Sequence, residues 1–255
     1  MTPLYFGERS RRLFGLYTPA HATGGRARGA VLCAPWGAEY LRAHRSMAQL
    51  GKWLGEAGVH VLRFDYHGTG DSAGDMGEAR LDGWIEDVQT AIDELKDTAG
   101  LQRVTLVGLR LGATLAARAA AKRRRDVDGL VLWDPVVSGR EHLAELRELH
   151  AQTLRTRGLS DGASELLGFP MNEALVQDIE GIDLLNPAPT WPARSLAVVS
   201  EARDAWRALG AALPPGDGSA IESIEVQPAW LEDRHTGAGA VPVKLLRRIV
   251  DWTAQ

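Results

Sequence analysis

The sequence predicts an α/β protein with a mainly parallel sheet covered by helices on both faces, and two observations carry that prediction. Residues 30–35 (AVLCAP), 59–65 (VHVLRFD), 104–108 (VTLVG), 130–134 (LVLWD), 195–200 (SLAVVS) and 221–226 (IESIEV) read as strands, and several are apolar without alternation. Uninterrupted apolar runs of this length suit strands buried on both faces, which is the situation of a parallel sheet. Helical periodicity fills the intervals between them, and strand–helix alternation over this length is the pattern of a sheet built from crossover units.

Taken in order, Phe6 and then Leu13, Phe14, Leu16 and Tyr17 suggest two short N-terminal strands interrupted by GERSRR, and HATGGRARG follows as a loop. Leu41, Met47, Leu50 and Leu54 mark one helix face; Trp84, Ile85, Val88, Ile92 and Leu95 mark a second. A helix opening near Leu111 ends in Lys122-Arg123-Arg124-Arg125, where cations complement the helix dipole. The last helix carries Val243, Leu246, Ile249 and Val250 and is entered through Pro242. Residues 141–190 break the rhythm with two amphipathic helical patterns and no strand, and are expected to form a lid over the C-terminal edge of the sheet, where open α/β folds place ligands. The expected organisation is a core of residues 1–140 and 191–255 with a helical cap at 141–190.

Composition narrows the function classes. The chain has 255 residues, 45% hydrophobic and 24% charged, enough to bury a sizeable core. A formal charge of −4, from 33 acidic and 29 basic residues, gives no electrostatic case for nucleic acid. No apolar run reaches the roughly 18 residues of a membrane span. Cys33 is the single cysteine, which excludes an internal disulfide and a cysteine-based metal site. His44, His60, His142 and His150 show no ligand spacing with carboxylates, so no metal and no cofactor are expected. The N-terminus lacks the apolar core of a signal peptide, and a cytoplasmic location is expected.

The chemistry concentrates in three motifs. VGLRLGA (107–113) runs from a strand into a small-residue helix, and Gly108 and Gly112 allow the close strand–helix approach of a nucleophile elbow, G-x-S-x-G. The central position is Arg110, whose guanidinium is neither nucleophile nor base. The turn aims Arg110 into the cleft and puts the Leu111 amide at a helix N-terminus, where an anion is favoured. With the Trp36 amide from APWGAE it makes an expected oxyanion hole. In DYHGTGDSAGD, Asp65, Gly68 and Gly70 are read as turn-making residues.

These three motifs, in this order and spacing, resemble the α/β-hydrolases, nearest the serine-aminopeptidase-like branch: APWGAE stands for the oxyanion turn, DYHGTGDSAGD for the D-x-x-G-x-G-x-S loop and VGLRLGA for the elbow. The resemblance spans essentially the whole chain. It implies an α/β-hydrolase fold, His235 as the general base, and Asp204, with Glu201 as rival, as the acid that orients it. Cys33, Ser72 and Ser138 are weaker candidates for a substitute nucleophile.

Arg110 then has two readings: a clamp for an anionic ligand, with Trp36, Leu111 and Glu39 around it, or a plug paired with Asp204, Glu39 or another carboxylate. A buried unpaired charge is excluded by its cost. With acyl-enzyme chemistry set aside, the parts suit proton abstraction beside a carbonyl. The missing serine is similar to the bottromycin-type epimerases, implying a peptide-tailoring epimerase of natural-product biosynthesis, and GLRLGA is similar to exosortase-associated hydrolase-like proteins. The alternatives are a hydrolase using activated water or another nucleophile, and a catalytically dead ligand-binding protein. In each case the partner is a small molecule or peptide.

Overall fold

The computed structural model describes residues 1–21, 27–158, 165–186, 190–216, 218–232 and 239–255. Its strands are β1 (Thr2–Phe6), β2 (Leu13–Thr18), β3 (Arg28–Cys33), β4 (Val59–Phe64), β5 (Val104–Leu109), β6 (Val127–Trp133), a small hairpin β7 (Glu165–Leu166) and β8 (Phe169–Pro170), then β9 (Arg194–Val199) and β10 (Ala220–Ser223). The helices are α1 (Ala38–Glu56), α2 (Leu81–Ala99), α3 (Leu111–Lys122), α4 (Gly139–Arg157), α5 (Glu173–Glu180), α6 (Asp204–Ala212) and α7 (Val243–Thr253).

Eight strands form one sheet in the order β1-β2-β4-β3-β5-β6-β9-β10. The pairs β1–β2 and β2–β4 are antiparallel, and the remaining neighbours, from β4 through β3, β5, β6 and β9 to β10, pair in parallel. The apolar strands are buried on both faces in strict alternation. Val31, Cys33, Leu106, Leu130, Leu132 and Ala197 point into the core shared with α2 and α3, while Ala30, Leu32, Val107, Val131, Trp133 and Val198 point into the core shared with α1 and α7. Each fully buried Leu, Val or Ile contributes about 1.5–3 kcal/mol. That is why these strands read as continuous apolar runs rather than half-polar ones. This is the α/β-hydrolase fold.

Three elements differ from expectation. The last strand stops at Ser223 instead of 226, as an edge strand paired only with β9. The interval after β9 contains α6, which sequence periodicity left unassigned. The expected strandless cap carries the β7–β8 hairpin, two residues a side and separate from the central sheet. The cap's first helix starts at Gly139, capped by the Ser138 side chain, which accepts from the Glu141 amide at 3.3 Å. The segment around α5 is tied to the loop before α2 by Arg80, whose guanidinium donates twice to Asp178 of α5 at 2.7 and 2.9 Å, and by Asn172, whose amide donates to the Gly77 and Ala79 carbonyls.

Candidate functional site

Backbone geometry defines the site before any side chain does. At the end of β5 the chain turns into α3 through Arg110, with φ 54° and ψ −121°, a region that L-residues rarely adopt. The turn is held from three sides: the Arg110 amide donates to the Trp133 carbonyl at 3.0 Å, and its carbonyl accepts from the Ala113 and Val136 amides. A Cβ on Gly112 would lie 2.3 Å from the carbonyl oxygens of Cys33 and Ala34, and one on Gly108 would lie 2.4 Å from Ala113 Cα. Both glycines are therefore needed for the helix to sit this close to the sheet. Strain held by surrounding structure at a sharp strand–helix turn marks a position built to present a side chain.

The presented side chain is buried and saturated with charge. Arg110 Nε donates to Glu39 Oε1 at 2.9 Å, and Nη2 donates to Glu145 Oε2 at 2.8 Å and lies 3.2 Å from His142 Nδ1. Its guanidinium carbon is 3.9 Å from the centroid of the Trp230 ring, a cation–π contact. Glu39 comes from the first turn of α1, Glu145 and His142 from α4, and Trp230 from the chain that follows β10. Burial opposes the charge on Arg110, but Glu39 and Glu145 outweigh it and hold the guanidinium protonated. Burial pushes the Glu39 carboxyl up despite Arg110. Burial, with the nearby charges of Arg110 and Arg203, holds the His142 imidazole well below its usual range, so it is neutral and accepts from Arg110.

Sequence reasoning missed a buried acid that shares Trp230 with Arg110. Asp134 directly follows β6 with φ 44°, is wholly buried, and accepts from the Ser200 amide and hydroxyl, each at 2.7 Å, and from Trp230 Nε1 at 3.0 Å. Burial raises its pKa against those three donors and Arg110. The signal available in the sequence was the aspartate closing LVLWD at the C-terminal end of a strand.

The expected residues distribute unevenly. The structure brings Arg110, Glu39 and Leu111 together at the elbow, with Trp36 on the turn that enters α1. Leu111 is the first residue of α3, and Trp36 precedes Gly37, whose φ of 65° turns the chain into α1. The Trp36 indole donates to Met76 Sδ at 3.5 Å and packs edge-on against Phe169 of the cap hairpin. Glu39 is the buried partner of the Arg110 cation rather than a residue open to a ligand. Asp204 does not reach the elbow: it opens α6 with its side chain 93% exposed and pairs with Arg207 at 2.8 Å. The expected role of Asp204 is to orient His235, and its exposure alone does not test that pair. Glu201 lies on the cleft wall and pairs with Arg203 at 2.6 Å. His235 lies outside the described residues.

The substitute nucleophiles all have structural work. Ser72 Oγ donates to the Asp65 carbonyl at 2.6 Å and accepts from the Phe14 amide at 2.8 Å. Ser138 caps α4. Cys33 is fully buried, and burial keeps its thiol protonated. Asp65 holds its loop as expected, accepting from the Asp71 amide at 3.1 Å and from the Tyr40 hydroxyl at 2.8 Å. Among the described residues, no group of three or more His, Cys, Asp or Glu side chains is placed to hold a metal ion. Among them also, no helix is long and apolar enough to cross a membrane.

Two cavities flank the elbow. One, of about 240 Å³, is largely apolar and is lined by Trp36, Tyr40, Tyr66, Met76 and Phe169 among others. The other, of about 330 Å³, opens between α4 and the Trp230 segment and is lined by Glu39, Glu145, Leu149, Glu201, Arg203 and Trp230 among others.

Residues 25–167, more than half of the chain, match the family described as serine aminopeptidase, S33. The chain belongs to that family of α/β-hydrolases. It is 36% identical over 96 residues to the lysophosphatidylserine lipase ABHD12 of Xenopus tropicalis, covering 36% of this chain and 24% of that protein. It is 34% identical over 103 residues to the human mitochondrial palmitoyl-protein thioesterase ABHD10, covering 40% of this chain and 31% of that protein. The matched stretch thus spans a third or less of these relatives. The esterase EaEST of Exiguobacterium antarcticum superposes with a TM-score of 0.69 at 14% identity, covering 100% of both chains.

Proposed function

We propose that this hydrolase-family protein binds a small acyl-bearing molecule at the cap-covered edge of its sheet without forming an acyl-enzyme at the elbow. One observation carries the reading: the position that presents a nucleophile in this fold holds Arg110, buried and paired with Glu39 and Glu145. A guanidinium has no electron pair to give and stays protonated in proteins. What remains beside it is binding equipment: the helix N-terminus at Leu111, the oxyanion turn at Trp36 and the apolar cavity next to it. Epimerisation of a modified peptide, expected from the missing serine, draws no support from the family match or the relatives, which are hydrolases.

Hydrolysis by water is the second reading, and the family match with its lipase and thioesterase relatives favours it. In that reaction a water oxygen attacks the acyl carbon while Glu145 takes its proton, the amides of Trp36 and Leu111 hold the oxyanion, and the leaving oxygen or sulfur departs protonated.

Turnover of p-nitrophenyl butyrate and of a palmitoyl thioester, run beside labelling with a fluorophosphonate, separates the readings. Binding alone predicts background turnover and no adduct. Turnover without an adduct supports water attack, and a stoichiometric serine adduct overturns both.

A further inference from the structure

We infer that the cleft over Trp230 recognises a monocarboxylate, and that the cap residue Glu145 occupies the place of that carboxylate between Arg110 and Arg203. The inference rests on reading the elbow as a binding position, not an attacking one.

Glu145 divides its two oxygens between two arginines: Oε2 accepts from Arg110 Nη2 at 2.8 Å, and Oε1 accepts from Arg203 Nη1. Both guanidiniums lie over the Trp230 ring, at 3.9 and 5.5 Å from its centroid. The two cations and the ring belong to the sheet edge: Arg110 to the elbow, Arg203 to the turn before α6, Trp230 to the segment after β10. The anion between them belongs to the cap helix α4. It is also the most accessible member of the group, with its side chain 39% exposed against 3% for Arg110 and 29% for Arg203.

A carboxylate arriving from the cleft meets the same fork of donors that Glu145 meets, and charge-assisted pairing with guanidinium is the strong form of carboxylate recognition. Arg110 keeps Glu39 on its Nε throughout. Leu146, Leu149 and Leu231 line the 330 Å³ cleft beside Trp230 and offer an apolar wall for the body of the ligand. Glu148 and Glu201 on the same cleft repel a second negative group, which selects a monocarboxylate over a dicarboxylate. Because Glu145 is tethered, it competes as an intramolecular ligand, whose effective concentration is of millimolar order for short connections. Removing it therefore exposes an affinity that the intact protein hides.

Calorimetric titration of the full chain with phenylacetate and with 2-phenylethanol tests this. In Glu145→Ala, phenylacetate is expected to bind at least tenfold more tightly than in the unaltered protein while 2-phenylethanol is unchanged. Adding Arg203→Met is expected to remove the gain. Glu145→Ser also vacates the place between the two guanidiniums and serves as the same test where the alanine variant melts early. Equal phenylacetate affinity in the folded variants and the unaltered protein overturns the inference. So does failure of both variants to fold, which would make Glu145 a structural tether. A fluorophosphonate adduct overturns instead the reading of the elbow, so the two failures are distinct.

Discussion

The indole of Trp230 joins Arg110 to Asp134: its ring face carries the guanidinium at 3.9 Å, and its Nε1–H donates to the aspartate at 3.0 Å. Both charged groups are buried, Arg110 at 2% exposure and Asp134 at 0%. One aromatic residue therefore supports a buried cation through its π face and a buried anion through its edge. This supports the placement of the elbow side chain by the fold rather than by chance packing, and it makes the first variant informative.

Trp230→Phe keeps an aromatic face under Arg110 and deletes the donor to Asp134. The carboxylate then keeps only Ser200, and a buried acceptor losing one partner costs about 1–3 kcal/mol. Trp230→Leu removes the cation–π contact as well and is expected to be less stable than Trp230→Phe. Urea denaturation reads both. Equal stability of the two variants counts against any contribution from the ring face.

Arg110→Met strips the counter-charge from Glu39, which is 3% exposed in its side chain. Breaking a buried pair from one side costs about 3–5 kcal/mol, because a buried charge is left behind. Glu39→Gln in the same chain is expected to recover much of that loss, since the neutral amide no longer needs the cation. A double variant no more stable than Arg110→Met alone would show that the two side chains are uncoupled.

The sheet was legible in the sequence because burial on both faces leaves a mark: β3, β5, β6 and β9 carry apolar runs in which neighbours enter opposite cores. The elbow was legible for a second reason, since Gly108 and Gly112 stand where no Cβ fits. The partners of Arg110 left weaker marks. Glu39 was within reach of sequence reasoning through its motif. Glu145 lies on an amphipathic helix whose charged residues read as a solvated face, and only the placement of the cap over the elbow turns it inward. Asp134 and Trp230 are single residues outside any periodic pattern and lie 96 positions apart. Asp204 follows β9 as expected, and the turn through Arg203 starts α6 with that carboxylate facing water.

Gly112→Ala tests the elbow's close approach. Its Cβ would meet the Cys33 and Ala34 carbonyl oxygens at 2.3 Å, and these belong to the end of a central strand that cannot retreat cheaply. Overpacking of a well-filled core costs about 1–3 kcal/mol, and backbone atoms as neighbours put this variant at the upper end. A thermal melt within one degree of the unaltered protein would show that α3 can move away from β3.

His142 gives the pH dependence a defined sign. Burial and the charges of Arg110 and Arg203 hold its folded-state pKa well below the ordinary histidine value of 6.5, so the folded protein keeps it neutral where the unfolded chain takes up a proton. Stability is therefore unaffected by this group above about pH 6.5 and falls as the pH drops below it, with a slope approaching about 1.4 kcal/mol per pH unit. The raised pKa values of Glu39 and Asp134 act in the opposite direction, since the folded state binds their protons more readily than the unfolded chain does. A difference between two proteins isolates the histidine. His142→Gln can still accept from Arg110 but cannot titrate, so its urea midpoint is expected to run parallel to that of the unaltered protein above pH 7 and to decline less between pH 6.5 and 5. Parallel curves through that lower window would mean that the imidazole takes up its proton in the folded state, beside two arginines, and the neutral acceptor assigned to it would be wrong.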